Sequence, residues 1–153
     1  NPEFLTEATA EKDTKYPPFI LLGGCHDAYL LDVKAVYESR IKSAPIILTD
    51  NTTAEMAKLS LNGYFVNKVV YANHIYDACQ KLRANYEKVK EVMESHPFGP
   101  KNHFTVIHKG GRGANGKCLK KDVQALARYT EDGFIKTLIA ENQHYLSEYP
   151  KSP

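Results

Sequence analysis

The sequence has few cysteines, almost no net charge and no long apolar run. Its three cysteines, Cys25, Cys79 and Cys118, are an odd number without a CxxC spacing. That pattern argues against a disulfide framework or a structural zinc site and favours reduced thiols in a cytoplasmic protein. A net charge of +2 is too small to indicate nucleic-acid binding by itself. The apolar run at 19–22 is far shorter than the roughly 20 residues needed to span a bilayer.

Several catalytic and metal-binding signatures are also missing. The chain has no GxSxG elbow, and its histidines show no HxH, HxxxH or HExxH spacing. The GxGxxG fingerprint of dinucleotide-binding folds does not follow the first apolar run, where residues 23–27 read Gly-Gly-Cys-His-Asp instead. We therefore expect no metal site and no standard hydrolase triad.

Length and composition fit one globular domain. Of the 153 residues, 42% are apolar and 25% are charged, so the chain can bury a core and does not have the composition of a disordered protein. The polar start predicts a flexible arm over 1–16, whose residues 1–4 we interpret as a cloning remnant. A single α/β domain is expected over 17–149, followed by a tail over 150–153.

Four short apolar runs alternate with helical patterns and predict a parallel sheet. The predicted strands are 19–22, 46–48, a segment within 64–71, and 104–108. Because these runs are continuously apolar, they are typical of parallel strands covered on both faces. We predict a single-domain, doubly wound open sheet of about four parallel strands with helices on both faces, of the Rossmann-like or flavodoxin-like kind. The predicted helices begin near residues 27, 51, 75, 119 and 132.

A glycine-rich basic loop over 109–118 lies between the fourth predicted strand and a predicted helix. Glycines at this density usually serve positive φ or a close backbone approach. A helix N-terminus and backbone N–H groups that point at one spot form an anion cradle. The ligand-binding residues predicted in this loop are Lys109, Gly110, Gly111, Arg112, Gly113, Gly116 and Lys117.

Residues 111–118 satisfy the pattern GxxxxGK and, over these eight positions, resemble the Walker A loop of P-loop nucleotide hydrolases. Two departures weaken the hydrolase interpretation. Cys118 stands where the family has the Ser or Thr that ligates Mg²⁺, and a thiol is a poor magnesium ligand. The chain that follows is predicted to be helical, which leaves no downstream strand for a second carboxylate. A phosphate cradle is thus favoured over nucleotide hydrolysis.

Polar residues follow the predicted strands, and parallel strands place their carboxyl ends along one edge of a sheet. We therefore expect Gly23, Gly24 and Asp50 to contact a ligand, although Asp50 also suits a helix cap and the two glycines also suit a tight turn. His26 or His74 is the predicted general acid/base group because imidazole titrates near neutral pH. Asp27, next to His26, is the third predicted catalytic residue and would position the histidine or a water molecule. Cys25 suits either a small buried filler or a nucleophile.

Together these features predict a small cytoplasmic α/β domain that binds a phosphate-bearing small molecule at the strand ends. A nucleotide or nucleotide derivative is the favoured ligand, and the sequence leaves open whether a reaction follows. The alternative is a module that binds nucleic acid or a protein partner through the basic segment 109–128, which has six basic residues and one acid.

Overall fold

The computed structural model describes residues 4–5, 8–108 and 110–148. Lys109, most of the predicted cloning remnant and the predicted tail over 150–153 lie outside the described residues. The chain forms two compact units, with the division between Lys58 and Leu59. The single domain expected over 17–149 stays a prediction.

The first unit contains a small parallel sheet. Strands β1 (Ile20–Gly23) and β2 (Ile46–Thr49) pair in parallel, with Ile20 opposite Ile46 and Gly23 opposite Thr49. Helix α1 (Ala10–Lys15) precedes the sheet, and helix α2 (Asp27–Arg40) connects the strands. Parallel strands need such a crossover because a hairpin turn cannot reverse the chain twice. The predictions of a parallel α/β arrangement, of both strands and of this helix are confirmed.

Helix α3 (Asn51–Leu82) begins in the first unit and continues into the second. The second unit also contains α4 (Tyr86–Ser95), α5 (Lys117–Thr130) and α6 (Gly133–Glu148). Its core brings residues of α3, α5 and α6 together, and a further buried cluster joins α3 and α4 to the segment around Phe104. The members of the first cluster are Val66, Val70, Ala114, Val123, Leu138 and Tyr145.

The third and fourth predicted strands are corrected by the structure. Residues 64–71 lie within α3, so the strand predicted there is wrong. Residues 104–107 form no regular strand, and His108 makes only an isolated bridge with Gly111. The described residues thus contain one sheet of two strands, and the expected doubly wound sheet of about four strands is not confirmed.

The long helix expected over 75–95 is interrupted. Helix α3 ends at Leu82, Arg83 takes a left-handed conformation with φ of 56°, and α4 begins at Tyr86. Asn85 caps α4 by accepting a hydrogen bond from the backbone N–H of Lys88 at 3.2 Å. Within the described ranges, no helix combines the length and apolar character needed to cross a membrane.

Candidate functional site

In the first unit, an open cleft of about 540 Å³ lies at the carboxyl ends of β1 and β2. The backbone N–H of Gly24 donates to the carbonyl of Thr49 at 3.0 Å, so the two strand ends are held side by side. The lining of the cleft includes Gly24, Asp27 and Asp50. Three of the predicted site residues are thus brought together at the edge where parallel sheets bind ligands.

Gly23 and Gly24 have packing reasons to be glycine. A Cβ on Gly23 would lie 2.7 Å from the Cβ of Ala54, and one on Gly24 would lie 2.8 Å from Cγ of Leu30. Both distances are shorter than any ordinary carbon–carbon contact. The two glycines therefore allow β1 to approach its neighbouring helices closely, whether or not a ligand also approaches them.

Asp50 caps the N-terminus of α3. Its carboxylate accepts hydrogen bonds from the backbone N–H of Thr53 at 2.9 Å and from the Thr53 hydroxyl at 2.6 Å. These bonds, the hydroxyl first, favour the charged form and lower the pKa of Asp50 from its ordinary value. The capping alternative raised from the sequence is thus realised, and a ligand contact by Asp50 stays a prediction.

His26 occupies the N-cap position of α2, but its side chain makes no capping hydrogen bond. Its ring lies edge-on to Tyr29, with 5.6 Å between ring centroids, and both side chains are exposed. Cys25 is exposed as well, so the interpretation of Cys25 as a buried filler is wrong.

In the second unit, the glycine-rich loop adopts a folded conformation. His108 and Gly111 exchange two backbone hydrogen bonds of 2.9 and 3.2 Å. Gly110 and Gly113 have φ of 75° and 77°, the left-handed region in which glycine avoids the strain of a side chain. The positive φ expected from the glycine content is therefore present at two positions of the loop.

Arg112 points into the protein rather than outward. It is 3% exposed, and its Nε donates to Oδ1 of Asn73 at 2.6 Å. Its Nη2 lies 3.2 Å from the carbonyl oxygen of Asn73 and 2.8 Å from Oδ1 of Asp77. The guanidinium is therefore occupied by partners within the second unit.

His74 lies near the buried Arg112, since both residues contact Tyr145. Its Nε2 is 3.3 Å from a carboxylate oxygen of Glu141, and its ring meets the ring of Tyr145 edge-on at 5.4 Å between centroids. Burial, and then the charge of Asp77, raise the pKa of Tyr145 to about 12, so its hydroxyl stays protonated at neutral pH. His74 and Arg112, two predicted site residues, thus both contact Tyr145.

The loop ends at an open helix N-terminus. Gly116 is the N-cap of α5 and offers no side chain to its first-turn N–H groups, and the first turn contains no acidic residue. Lys117 and Cys118 follow and are exposed. A helix N-terminus without a side-chain cap and a nearby ammonium both favour an anion at this end of the loop.

Some residues of this region are not evident from the sequence. Asn62 and Asp122 form a buried hydrogen bond between α3 and α5. Cys118, which the sequence marked only as a departure from the Walker A pattern, is an exposed thiol at the start of α5. The helical spacing of Asn62, Val66 and Asn73 is the signal that identifies the buried face of α3. Among the described residues, no group of three or more His, Cys, Asp or Glu side chains could hold a metal ion.

Comparison with known proteins identifies the family. Residues 52–144 match the model of the UDP-glucose/GDP-mannose dehydrogenase family, central domain. The UDP-glucose 6-dehydrogenase of Rickettsia bellii is 28% identical over 142 residues, which are 92% of this chain and 32% of that protein. The GDP-mannose 6-dehydrogenase of Pseudomonas savastanoi pv. phaseolicola is 33% identical over 127 residues, 82% of this chain and 28% of that protein.

Solved structures agree. A UDP-glucose dehydrogenase from the hyperthermophilic archaeon Pyrobaculum islandicum superposes with a TM-score of 0.82 at 25% identity, covering 94% of this chain and 33% of that one. The chain therefore belongs to the UDP-glucose/GDP-mannose dehydrogenase family. It spans about a third of the length of the relatives it matches. Their names give no support to the alternative of a nucleic-acid-binding module.

Proposed function

We propose that the protein containing this chain is a nucleotide-sugar 6-dehydrogenase, and that this chain supplies part of its ligand-binding surface. The family match over 52–144 and the names of the relatives support this proposal. It agrees with the sequence-based expectation of a phosphate-bearing nucleotide derivative as ligand. The hydride acceptor in such a reaction is a nicotinamide dinucleotide, whose chemistry the protein directs by position and charge.

The observation that carries the proposal is the junction of the glycine-rich loop with α5. Its helix N-terminus has no side-chain cap, and Lys117 adds an exposed ammonium. An oxyanion of the ligand, on its diphosphate or on its oxidised sugar, binds at the N–H groups of this first turn. Arg112 contributes by supporting the loop from inside.

Gly116 supports the same assignment. Its φ is −67°, which any residue can adopt, and an added Cβ would lie 3.7 Å from the nearest atom, Cγ of Leu119. Neither conformation nor packing thus requires glycine at this position, in contrast to Gly113. A close approach of the ligand to the backbone explains why the residue at this position is glycine.

Cys118 is the proposed nucleophile of the site. The family-matched segment contains two cysteines, of which Cys79 is buried and Cys118 is exposed. Oxidation of a primary alcohol at carbon 6 passes through an aldehyde. A thiolate forms a sulfur–carbon bond with the aldehyde carbon as the carbonyl π bond opens and its oxygen takes up a proton, which gives a thiohemiacetal. His26 or His74 stays the proposed general acid/base group, and Asp27 stays the proposed residue that positions it or a water molecule.

In the first unit, the cleft lined by Gly24, Asp27 and Asp50 is proposed as a nucleotide contact. Its position at the carboxyl ends of two parallel strands is the supporting argument.

The test uses the full-length protein with UDP-glucose and GDP-mannose as probes. Gly116→Ala and Lys117→Ala should each weaken binding about tenfold or more while the melting temperature stays within about 1 °C of the parent. Lys136→Ala, which removes an exposed lysine from α6, is the matched control. Unchanged affinity in both loop variants would contradict the assignment of the oxyanion site.

The role of Cys118 has a separate test. Cys118→Ser should abolish formation of the 6-carboxylate, the product of the second oxidation, while the dissociation constant of the nucleotide-sugar changes little, because the serine fits the same space. In the parent protein, the ligand should protect this thiol from alkylation. Formation of the 6-carboxylate retained by Cys118→Ser would contradict the nucleophile role and leave the oxyanion site standing.

A further inference from the structure

The glycine-rich loop is anchored to the second unit at two points, residues 112 and 114. The first anchor is the buried guanidinium of Arg112, which bonds Asn73 through both the side chain and the backbone carbonyl of that residue. Its charge is balanced by Asp77 at 2.8 Å. A buried arginine with this many partners restricts the position of its own backbone.

Two aromatic rings complete the arginine pocket. The guanidinium carbon lies 4.6 Å from the ring centroid of Tyr145 and 5.2 Å from that of Tyr76. Contacts of this kind depend on the planar, delocalised guanidinium. Lysine has the same charge but can neither stack between the rings nor reproduce the fork of hydrogen bonds. The pocket is thus specific for arginine.

The second anchor is Asn142 on α6. Its Oδ1 accepts a hydrogen bond from the backbone N–H of Ala114 at 2.7 Å, and its Nδ2 donates to the backbone carbonyl of Ala114 at 3.0 Å. Both residues are buried. One side chain therefore satisfies both backbone groups of a loop residue, as a neighbouring β-strand would.

Gly113 lies between the anchors and leaves little room for a side chain. A Cβ there would lie 3.1 Å from Cγ of Leu146 and 3.2 Å from Oδ1 of Asn142. The backbone at residues 112–114 is therefore packed directly against α6. Gly110, outside the anchored stretch, has nothing within 4 Å of its added Cβ.

We infer that Arg112 and Asn142 are positioning residues, which hold the glycine-rich loop in one conformation so that the ligand meets a preformed oxyanion site at α5. This inference rests on the function proposed above. A loop with four glycines would otherwise lose much conformational freedom when the ligand binds, and this loss would weaken binding. Because of the two anchors, the loop loses this conformational freedom when the protein folds and not when the ligand binds. The binding-competent conformation is therefore already populated in the free protein.

The experiment compares Arg112→Lys and Asn142→Ala with matched controls in the full-length protein. Arg112→Lys keeps the charge and loses the planar contacts, whereas Asn142→Ala removes both bonds to Ala114. The controls are Arg128→Lys on α5 and Gln143→Ala on α6, both at exposed positions. Amide hydrogen exchange over 110–116 reports the loop without any ligand, and calorimetry with UDP-glucose and GDP-mannose reports affinity.

We expect amide exchange in the loop to quicken about tenfold or more in both variants but not in the controls. The dissociation constant should rise by a similar factor at temperatures well below unfolding, since affinity scales with the populated fraction of the competent loop. A merely structural role would lower the melting temperature and leave the affinity of the folded protein unchanged.

The outcomes separate this inference from the proposed function. Unchanged loop exchange in both variants overturns the inference, whatever the ligand does. Faster loop exchange with unchanged affinity in Arg112→Lys and Asn142→Ala also overturns the inference. If Lys117→Ala binds the nucleotide-sugar more weakly in that case, the proposed function still stands. If Lys117→Ala, Arg112→Lys and Asn142→Ala all bind like the parent, the oxyanion site fails and the inference fails with it.

Discussion

Asn62 on α3 donates its side-chain amide to Oδ2 of Asp122 on α5 at 2.6 Å, across 60 residues of sequence. Asn62 is 5% exposed and Asp122 is 7% exposed. Lys121 lies near the same carboxylate, 3.6 Å from Oδ1. A buried amide–carboxylate bond of this kind fixes the register of α5 against α3, because both partners are largely shielded from water.

Removal of the carboxylate should therefore destabilise the second unit. In Asp122→Ala the amide of Asn62 is left without an acceptor, and we expect a loss of about 1–3 kcal/mol in the free energy of unfolding. Asp122→Asn keeps an acceptor of the same shape and should lose less. Urea denaturation followed by circular dichroism measures both. Equal losses in the two variants would show that the acceptor is not what matters at this position.

The glycines of the loop should differ in what they tolerate. Gly110→Ala suffers only from its positive φ and should cost about 1 kcal/mol. Gly113→Ala adds tight contacts of 3.1 Å with Leu146 and 3.2 Å with Asn142, and should cost about 1 kcal/mol more than Gly110→Ala. Gly116→Ala is the control at negative φ and should change stability little. Denaturant midpoints of the three variants give the order, and a Gly110→Ala variant as unstable as Gly113→Ala would contradict it.

The sequence predicts best where a short apolar run or an amphipathic helix is bounded by its own local signals. Ile20–Gly23 and Ile46–Thr49 are such runs, and their parallel pairing follows from the helix between them. Helices α5 and α6 are found within two residues of their predicted starts. In each of these segments, local propensity and tertiary packing favour the same structure.

Residues 64–71 show how packing overrides local propensity. The β-branched Val66, Val69 and Val70 favour a strand, and Gly63 reads as a helix end. In the structure Val66 and Val70 are buried one helical turn apart against Val123 and Tyr145 of the second unit, and the bare Gly63 lets Leu126 approach closely. The packing partners that favour a helix over a strand here lie more than 50 residues away in the sequence.

The candidate site shows the same limit. Lys117 and the α5 N-terminus are visible in the sequence because a basic glycine-rich stretch before a helix is a local pattern. The burial of Arg112 is not visible in the sequence, because it depends on Asn73, Asp77 and Tyr145, none of which is near in sequence. A basic residue in such a stretch is ordinarily exposed.

The cap at Asp50 should make stability depend on pH in the acid range. Because the folded-state pKa of Asp50 lies below the ordinary value of 3.8, its contribution is complete above that value and is lost as the pH falls through the lowered pKa. Asp50→Asn keeps a good cap and removes the charge. The variant should melt below the parent at neutral pH and approach it as the pH is lowered.

Thr53→Val gives an independent check of this cap. It removes the hydroxyl that donates to Asp50 at 2.6 Å, the largest cause of the lowered pKa. The acid-dependent part of the melting temperature should therefore shrink in this variant. A pH profile in which the parent and Asp50→Asn run parallel throughout would contradict the role of the charge.

At the alkaline end, Tyr86 should limit stability. Its hydroxyl donates to the backbone carbonyl of Phe104 at 2.9 Å, and burial, with a smaller effect of Glu87, raises its pKa to about 12. The unfolded chain ionises this group near pH 10, so its contribution is complete below pH 10 and is lost as the pH rises toward 12. Tyr145 has a pKa raised to a similar value and adds to the same loss.

Tyr86→Phe removes both the hydrogen bond to Phe104 and the ionisable hydroxyl, and the pH dependence distinguishes these two effects. At neutral pH the variant should be less stable by about 0.5–1.5 kcal/mol, because the carbonyl of Phe104 loses its donor. Between pH 10 and pH 12 the parent should lose stability more steeply than the variant, so that the two denaturation curves converge. Tyr129→Phe, at an exposed position of α5, is the control and should follow the parent at every pH. A constant difference between parent and Tyr86→Phe up to pH 12 would show that Tyr86 ionises as easily in the folded protein as in the unfolded chain.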